Sequence, residues 1–312
     1  MYTNSEVLLP QGVVRYRDEG SGPVLVFVHG LLVNSALWSD VIPLLSSRFR
    51  CIALDLPLGA HSVSLNADAD LTPLGVAQLV ADCIEKLDLH DVTLVGNDTG
   101  GAICQLTITN YPERITRLVL TNCDAFEAFF PWPISPFQYG ARFFGISFAN
   151  FLAWTFQKHP AQRVLMATVS RCHADDALLD DNFAPLLSGN MEIRRDVTKF
   201  LKTVSNRYTL EAARNFQNFQ HPVLLVWGKN DLFFSGGIAR RLQQAFPNAT
   251  LEFLSPSRAF VPRDQSGPLA QRIAEFVNGS IKSRADDGEH IGQSPRLAGG
   301  SAAPTTSAAE TE

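Results

Sequence analysis

The 312-residue sequence lacks long apolar runs, and no stretch reaches the length of about 20 residues that a helix needs to cross a bilayer. The start of the chain lacks the basic segment and apolar core of a secretory signal. The chain also has fewer basic than acidic side chains, with 26 Lys and Arg and 31 Asp and Glu, which gives a net charge of −5. We therefore expect a cytoplasmic protein without membrane insertion, and its overall charge favours neither nucleic acid nor an anionic membrane as a partner.

Cysteine is sparse, and its odd, scattered pattern is typical of free thiols in a reducing compartment rather than of disulfides or a metal site: Cys51, Cys83, Cys104, Cys123 and Cys172. The chain has no Walker loop or dinucleotide fingerprint, since Gly96, Gly100 and Gly101 lack the spacing of a nucleotide-binding loop. The sequence therefore predicts neither a cofactor nor a metal ion.

Short apolar segments alternate with amphipathic ones in two blocks of the chain. The apolar segments, which we interpret as strands, are residues 13–17, 24–28, 51–56, 92–95, 117–122, 222–228 and 251–254. Helical patterns cover residues 74–87, 102–111 and 267–278. This alternation predicts an α/β fold, with a mostly parallel sheet covered by helices on both faces.

A helical insert, residues 125–219, separates the two blocks and predicts a cap over the carboxyl ends of the strands. It contains 13 of the 21 phenylalanines. Most of them would fill the cap's own core, and dense runs such as Phe129-Phe130 and Phe143-Phe144 favour a lipophilic substrate pocket between cap and sheet. The core would then comprise residues 1–124 and 220–282. Residues 283–312, poor in apolar periodicity, predict a disordered tail.

Residues 96–101, with the sequence GNDTGG, connect a predicted strand to a predicted helix. A nucleophile between small residues at such a junction forms a nucleophile elbow. An Asp that merely caps the helix is the alternative, but a buried strand ending in His29-Gly30 upstream favours the elbow. Because a carboxylate is already ionised at neutral pH, Asp98 predicts attack on saturated carbon, as in epoxide or carbon–halogen opening, rather than ester cleavage.

On these motifs the chain resembles the α/β-hydrolase superfamily over nearly all of residues 5–282. Within it, the chain is similar to the branch with an aspartate nucleophile, the haloalkane dehalogenases and the cofactor-free epoxide hydrolases. This resemblance implies that Asp98 alkylates itself on the substrate and that a histidine-activated water hydrolyses the ester. The backbone N–H groups of Leu31 and Thr99 would hold the oxyanion of the second step.

The resemblance also implies that a second acid orients the histidine. Asp231, in the loop after a core strand, occupies that place, and Asp124 occupies the alternative place that the family sometimes uses. The other interpretation of Asp231 is a loop carboxylate bonded to its own backbone, which is common in turns.

The histidine itself is missing, because Ala259 stands in its position before Phe260. Loss of this base slows water attack by a factor of ~10²–10⁴, so the sequence predicts a stalled covalent adduct. His61, in a loop at the correct end of the sheet, is the candidate replacement, with the cap histidines as further candidates: His159 and His173.

Two further positions bear on the subfamily. Dehalogenases place Trp after the nucleophile, where this chain has Thr99, and favour Asn where it has Leu31. Epoxide hydrolases use cap tyrosines to protonate the leaving alkoxide, so Tyr139 and Tyr208 are candidate substrate-binding residues, or else surface residues of the lid. The leading hypothesis is a hydrolase acting on a small lipophilic substrate, with epoxides ahead of alkyl halides. The alternatives are a ligand-binding relative without turnover and a non-hydrolytic isomerase or lyase.

Overall fold

The computed structural model describes residues 3–132 and 134–291, with side chains described for residues 5–132 and 134–281. Within this range eight strands form a single sheet. The strands are β1 (Thr3–Leu9), β2 (Gly12–Glu19), β3 (Val24–Val28), β4 (Arg50–Asp55), β5 (Val92–Asp98), β6 (Ile115–Cys123), β7 (Val223–Gly228) and β8 (Ala249–Leu254). Their order across the sheet is β1-β2-β4-β3-β5-β6-β7-β8.

The sheet is parallel from β4 to β8, and only β2 runs against its neighbours β1 and β4. The predicted fold class, a mostly parallel sheet with helices, is therefore confirmed. The prediction missed β1, whose first residues Thr3 to Glu6 are polar and which pairs only with β2 at the edge of the sheet.

Helices follow most of the strands. In the described residues they are α1 (Ile42–Leu45), α2 (Pro73–Lys86), α3 (Thr99–Asn110), α4 (Ser135–Phe144), α5 (Ile146–Thr155), α6 (His159–Val169), α7 (Asp176–Leu187), α8 (Met191–Thr203), α9 (Asn206–Asn215), α10 (Gly236–Ala245), α11 (Val261–Asp264) and α12 (Ser266–Ile291). Short 3₁₀ turns cover Ser35–Trp38 and Phe216–Asn218. None of these helices has both the length and the apolar character needed to cross a membrane.

Helices α4 to α9 lie between β6 and β7, in residues 125–219, which we call the cap segment. Part of its phenylalanine content forms an interior, since Phe183, Phe200 and Phe216 are fully buried. The cap segment and the sheet belong to the same compact unit, which ends at Val277. That the cap segment is a domain of its own therefore stays a prediction.

A second unit begins at Asn278 and contains the end of α12. The backbone is helical as far as Ile291, so helix occupies residues 283–291, where the sequence predicted that a disordered tail begins. These residues contain no proline that would end the helix. The remainder of the predicted tail, 292–312, lies outside the described residues.

Candidate active site

Asp98 is the last residue of β5, and α3 begins at the next residue. Its backbone angles are φ 57° and ψ −133°, which a non-glycine residue adopts only at a cost of about 1–3 kcal/mol. Glycines make the tight turn possible: a Cβ at Gly100 would collide with the carbonyl oxygens of Val28 and His29. The turn therefore fixes the direction of the Asp98 side chain, as expected of an elbow.

The Asp98 carboxylate is oriented by two backbone donors. Its Oδ1 atom accepts hydrogen bonds from the N–H of Thr99, at 2.6 Å, and from the N–H of Leu31, at 3.2 Å. Leu31 comes so close because Gly30 has no side chain, and a Cβ there would overlap the Asp98 carboxylate. The two backbone groups expected from the sequence thus converge on one oxygen of Asp98.

A cavity lies beside Asp98, between the sheet and the cap segment. Apolar side chains from both regions form most of its wall, including Leu32, Phe130, Phe137, Met166, Phe183 and Phe260. The polar residues of the described wall are Asp98, Thr99, Asp124 and Thr168. This composition suits a lipophilic ligand with one reactive polar group.

Asp124 follows the last residue of β6 and is buried. Its Oδ1 accepts a hydrogen bond from the N–H of Phe130, at 2.9 Å, and its Oδ2 lies 3.2 Å from the Thr99 hydroxyl. Phe130, in the dense run Phe129-Phe130 of the sequence, has a φ of 57°, and its N–H faces the carboxyl group. Asp124 is thus held in place beside the elbow.

Burial raises the pKa values of both cavity carboxyl groups. For Asp98 the N–H groups of Thr99 and Leu31 oppose this rise. The pKa of Asp124 lies well above its ordinary value, first because of burial and then because of the negative charge of Asp98. Two neighbouring carboxylates in an apolar site do not both ionise readily. Asp98, with two backbone donors on one oxygen and the smaller rise in pKa, is the more easily ionised of the two.

No histidine lines the described wall of the cavity. The candidate base His61 is buried elsewhere, with its Nε2 3.5 Å from Asp196 Oδ2 and its Nδ1 facing the Gly59 N–H at 3.4 Å. Of the cap histidines, His159 pairs with Asp176 and Asp180, and His173 is exposed. The structure therefore does not bring His61 or the cap histidines to Asp98.

His29, next to the elbow, uses both of its ring nitrogens to hold the local backbone. Its Nε2 accepts a hydrogen bond from the Leu56 N–H, and its Nδ1 lies 2.8 Å from the Gly30 carbonyl oxygen, so these partners select the neutral Nδ1–H tautomer. Burial lowers the pKa of His29. The residue thus stabilises the turn that presents the Leu31 N–H.

Ala259 is fully buried in the loop between β8 and α11, and its carbonyl accepts a hydrogen bond from Asn97 Nδ2 at 2.8 Å. The next N–H, of Phe260, donates to the Val169 carbonyl at the end of α6. Asp264 fastens the same loop by accepting from the Ser170 hydroxyl. Hydrogen bonds therefore fix this loop in place, and the side chain that it buries at position 259 is the methyl group of alanine.

Asp231 lies in the loop after β7, as expected, but outside the described wall of the cavity. It accepts hydrogen bonds from Asn122 Nδ2, at 2.5 Å, and from the Phe233 N–H, at 2.8 Å. Burial raises its pKa to about 6. Asn122 was not among the residues predicted from the sequence, although an amide at the end of a buried strand was a usable signal. Asn122 also accepts from the Gly228 N–H, so it ties β6 to β7.

Neither candidate tyrosine reaches the cavity. Tyr139 is exposed, and the Tyr208 hydroxyl accepts a hydrogen bond from Arg207. The expectation that they bind substrate is not met by this geometry, because neither belongs to the described wall. Among the described side chains no cluster of His, Cys, Asp and Glu could hold a metal ion.

Known proteins share this architecture. The family model described as "alpha/beta hydrolase fold" matches residues 23–262. An uncharacterized hydrolase, YugF of Bacillus subtilis, is 26% identical over 269 residues, which cover 85% of this chain and 95% of the relative.

Two solved structures illustrate the likeness in fold. The epoxide hydrolase CorEH superposes with a TM-score of 0.75 at 18% identity, over 89% of this chain and 99% of its own. The haloalkane dehalogenase DbeA of Bradyrhizobium elkani gives 0.75 at 16% identity, over 91% and 100%. At such low sequence identities the two structures show a likeness in fold alone. The family model, by contrast, matches most of the sequence and shows the family. With this match and with its elbow at the end of β5, the chain belongs to the α/β-hydrolase fold family.

Proposed function

We propose that this protein opens a lipophilic epoxide, without a cofactor, by nucleophilic attack of Asp98 and with Asp124 as the proton donor. One observation carries the proposal: the described cavity wall holds two carboxyl groups, Asp98 and Asp124, and is otherwise mostly apolar. An ionised carboxylate beside a neutral carboxylic acid supplies both a nucleophile and an acid.

In the first step, Asp98 Oδ2 attacks an epoxide carbon, while Oδ1 stays on the N–H groups of Leu31 and Thr99. The carbon–oxygen bond of the epoxide breaks, and its oxygen takes the proton of Asp124. The products are an ester on Asp98, a neutral hydroxyl group on the substrate and an ionised Asp124. Asp124 thus takes the part that Tyr139 and Tyr208 were expected to play.

In the second step, water must attack the ester carbonyl, and the described wall offers no histidine to activate it. The ionised Asp124 is the remaining base: it accepts a proton from water as hydroxide adds to the ester. The oxyanion forms on Oδ1, between the two backbone donors. Collapse of this intermediate releases the diol alkoxide, which takes the proton back from Asp124. Asp98 then returns its own acid proton to Asp124, which restores the starting state.

A carboxylate buried in this way is a constrained base, so we expect this second step to limit turnover. Displacement of a halide needs no proton and gains nothing from Asp124. The described wall also contains no tryptophan to hold a halide ion. Both features favour epoxides over alkyl halides.

The same acid–base pair supports a second candidate function, an isomerisation or elimination. Asp98 would then remove a proton from carbon, and Asp124 would donate one to an oxygen of the substrate. The specific observation in its favour is that the described wall lacks a histidine for the hydrolytic step.

Intact-protein mass spectrometry after incubation with a panel of lipophilic epoxides tests the proposal. We expect a mass increase equal to that of the epoxide, which persists for many minutes and is absent in Asp98→Asn. A matched variant, Asp231→Asn, lies outside the described cavity wall and should still form the adduct.

Turnover in ¹⁸O-labelled water distinguishes the two candidates. Hydrolysis of an Asp98 ester places heavy oxygen in the Asp98 carboxylate, whereas isomerisation places none there. A product formed with neither an adduct nor labelled Asp98 would contradict nucleophilic attack and leave the acid–base reaction.

A further inference from the structure

Large apolar side chains are exposed on one part of the cap segment. Phe143 and Phe144 at the end of α4 are 76% and 69% exposed, and Trp154 at the end of α5 is 66% exposed. Phe151, on α5, is also mostly exposed. We call these four side chains the aromatic face. Solitary exposed apolar residues are common, but exposed aromatic rings near the ends of two successive helices, two of them stacked on each other, mark a binding surface.

The aromatic face is continuous with the cavity. Phe137 of α4 lines the cavity wall, and its ring centroid lies 6.1 Å from that of Phe148. Phe148 lies 6.2 Å from Phe151, which stacks on Trp154 at 6.0 Å. Phe148 packs over Gly140, where a Cβ would collide with its ring. A row of four rings thus connects the wall beside Asp98 to the exposed end of α5.

The segment that carries the aromatic face holds basic but no acidic residues, and Asp176 and Asp180 of α7 pair with its His159 and Arg163. Residues 128–174 contain no Asp or Glu. Arg142 on α4 and Lys158 after α5 are exposed, and neither forms an ion pair with a described side chain. Lys202 of α8 also reaches this area, since its Nζ lies 3.4 Å from where a Cβ of Gly145 would be. In a chain of net charge −5, this is a local basic surface.

From these observations we propose that the aromatic face docks on an anionic lipid surface, so that lipophilic substrate enters the cavity from the membrane. Aromatic rings partition into the interfacial region of a bilayer, and neighbouring Lys and Arg side chains contact anionic headgroups. Helices α4 and α5 would lie on the membrane rather than cross it.

This choice of partner depends on the charge. A second copy of the chain would bring the same basic side chains together and repel, whereas an anionic membrane attracts all of them. The inference goes beyond the proposed chemistry, and docking does not require Asp98 to react.

The test is co-sedimentation of the full-length protein with vesicles of phosphatidylcholine alone or mixed with phosphatidylserine. We expect binding to the mixed vesicles that is roughly tenfold or more tighter than to neutral ones and that weakens as salt is added. The variant Phe143→Ser/Phe151→Ser/Trp154→Ser should lose binding. Leu44→Ser, which removes an exposed apolar side chain of α1, is the matched control and should bind as the unmodified protein does.

A charge variant separates the two contributions. Arg142→Glu/Lys158→Glu should reduce binding to mixed vesicles about tenfold or more, whereas Arg48→Glu, at the opposite end of the sheet, should not. Asp98→Asn should bind normally, so a failure of the proposed chemistry remains distinguishable from a failure of docking.

Three results would overturn the proposal: no vesicle binding, equal binding to neutral and mixed vesicles, or a dimer in light scattering that the serine variant converts to a monomer. The last result would assign the aromatic face to a second copy.

Discussion

Two acids lie at the same edge of the sheet: Asp98, which is buried and ends β5, and Asp231, which is partly buried and follows β7. Burial raises the pKa values of both. Asp98 sits on a strained backbone, has two backbone donors on one oxygen and lines a cavity. Asp231 sits outside the described cavity wall and is bound to the Asn122 amide and the Phe233 N–H.

The difference between them teaches which parts of such a site depend on each other. The elbow half of the site, which consists of Asp98 and the N–H groups of Leu31 and Thr99, needs no further side chain, since both donors come from the backbone. The resemblance to the aspartate-nucleophile branch would have Asp231 orient a histidine, but residue 259 is alanine, and Asp231 is bound to Asn122 and to the Phe233 N–H. The proposed chemistry therefore uses Asp124, which the elbow half holds in place through Thr99.

The largest effect is expected for Asp98→Asn. The amide has nearly the same shape and accepts the same backbone hydrogen bonds, but it is a poor nucleophile. Adduct formation and product release should both fall by at least about 10³-fold. Mass spectrometry and product detection measure this loss, and unchanged thermal unfolding would show that the elbow is intact. Retained activity would mean that Asp98 is not the nucleophile.

Asp124→Asn should separate two substrate classes. Epoxide opening should fall by about 10²–10⁴-fold, because the leaving oxygen loses its proton donor. Attack on an alkyl halide should change little, because that reaction needs no proton. In the unmodified protein, epoxide opening should also fall as the pH rises through the raised pKa of Asp124, and the variant should lack this pH dependence. Thr168→Val, another polar wall position, is the control, and an equal loss for both substrates would contradict the role of Asp124.

Ala259→His tests whether a histidine at this position, oriented by Asp231, can act as the base for hydrolysis of the ester. If hydrolysis of the ester limits the rate, multiple-turnover product formation should rise by about 10²-fold, while the rate of adduct formation stays the same. Because Ala259 is fully buried, a larger side chain should cost about 1–3 kcal/mol of stability. Ala259→Gln has similar bulk without a base and should give no gain. A histidine variant that folds without any gain would argue against this position as the site of the base.

The smallest effect expected is the pH-dependent contribution of Asp231 to the free energy of unfolding. Its pKa is about 6 in the folded protein and roughly 3.9 in an unfolded chain, so the folded state holds the proton more tightly. This contribution to stability is present below about pH 4 and is lost as pH rises through 6. Relative to Asp231→Asn, the unmodified protein should lose about 1–2 kcal/mol of unfolding free energy between pH 4 and pH 8, allowing for partial exposure.

Urea unfolding at the two pH values measures this difference between the proteins. The variant also loses a hydrogen bond, but this loss lowers its unfolding free energy by a similar amount at both pH values. It therefore does not affect the change in the difference between the two proteins from one pH to the other. Asp68→Asn, an exposed position, serves as the control and should show no such change. A difference that is independent of pH would mean that Asp231 has an ordinary pKa.

Local patterns predicted much of this molecule. Apolar strands alternating with helices predicted the mostly parallel sheet, and the GNDTGG turn predicted the elbow, because strand and helix periodicity and glycine geometry act over a few residues. The N–H groups of Leu31 and Thr99 were also predicted, since the backbone supplies them wherever the two turns form. By contrast, β1 is an edge strand with a polar start and left little pattern to detect.

Side-chain partners far apart in the chain were not predictable in the same way. His61 pairs with Asp196, 135 positions further along, and Asn122 of β6 donates to Asp231 in the loop after the neighbouring strand β7. Tyr139 and Tyr208 belong to the predicted cap, yet only the packing of its helices turns them away from the cavity. Periodicity identifies which face of a helix is apolar but not which element covers it.

The sequence by itself determined the fold class, the elbow with Asp98, and the absence of a histidine at Ala259. Only the tertiary structure decided that Asp124 shares the cavity with Asp98 and that no histidine lines its described wall. It also left large aromatic side chains of α4 and α5 exposed. The physical reason is that total charge and composition are sums over all residues, whereas pKa values, docking and catalysis depend on which side chains lie within a few ångströms of one another.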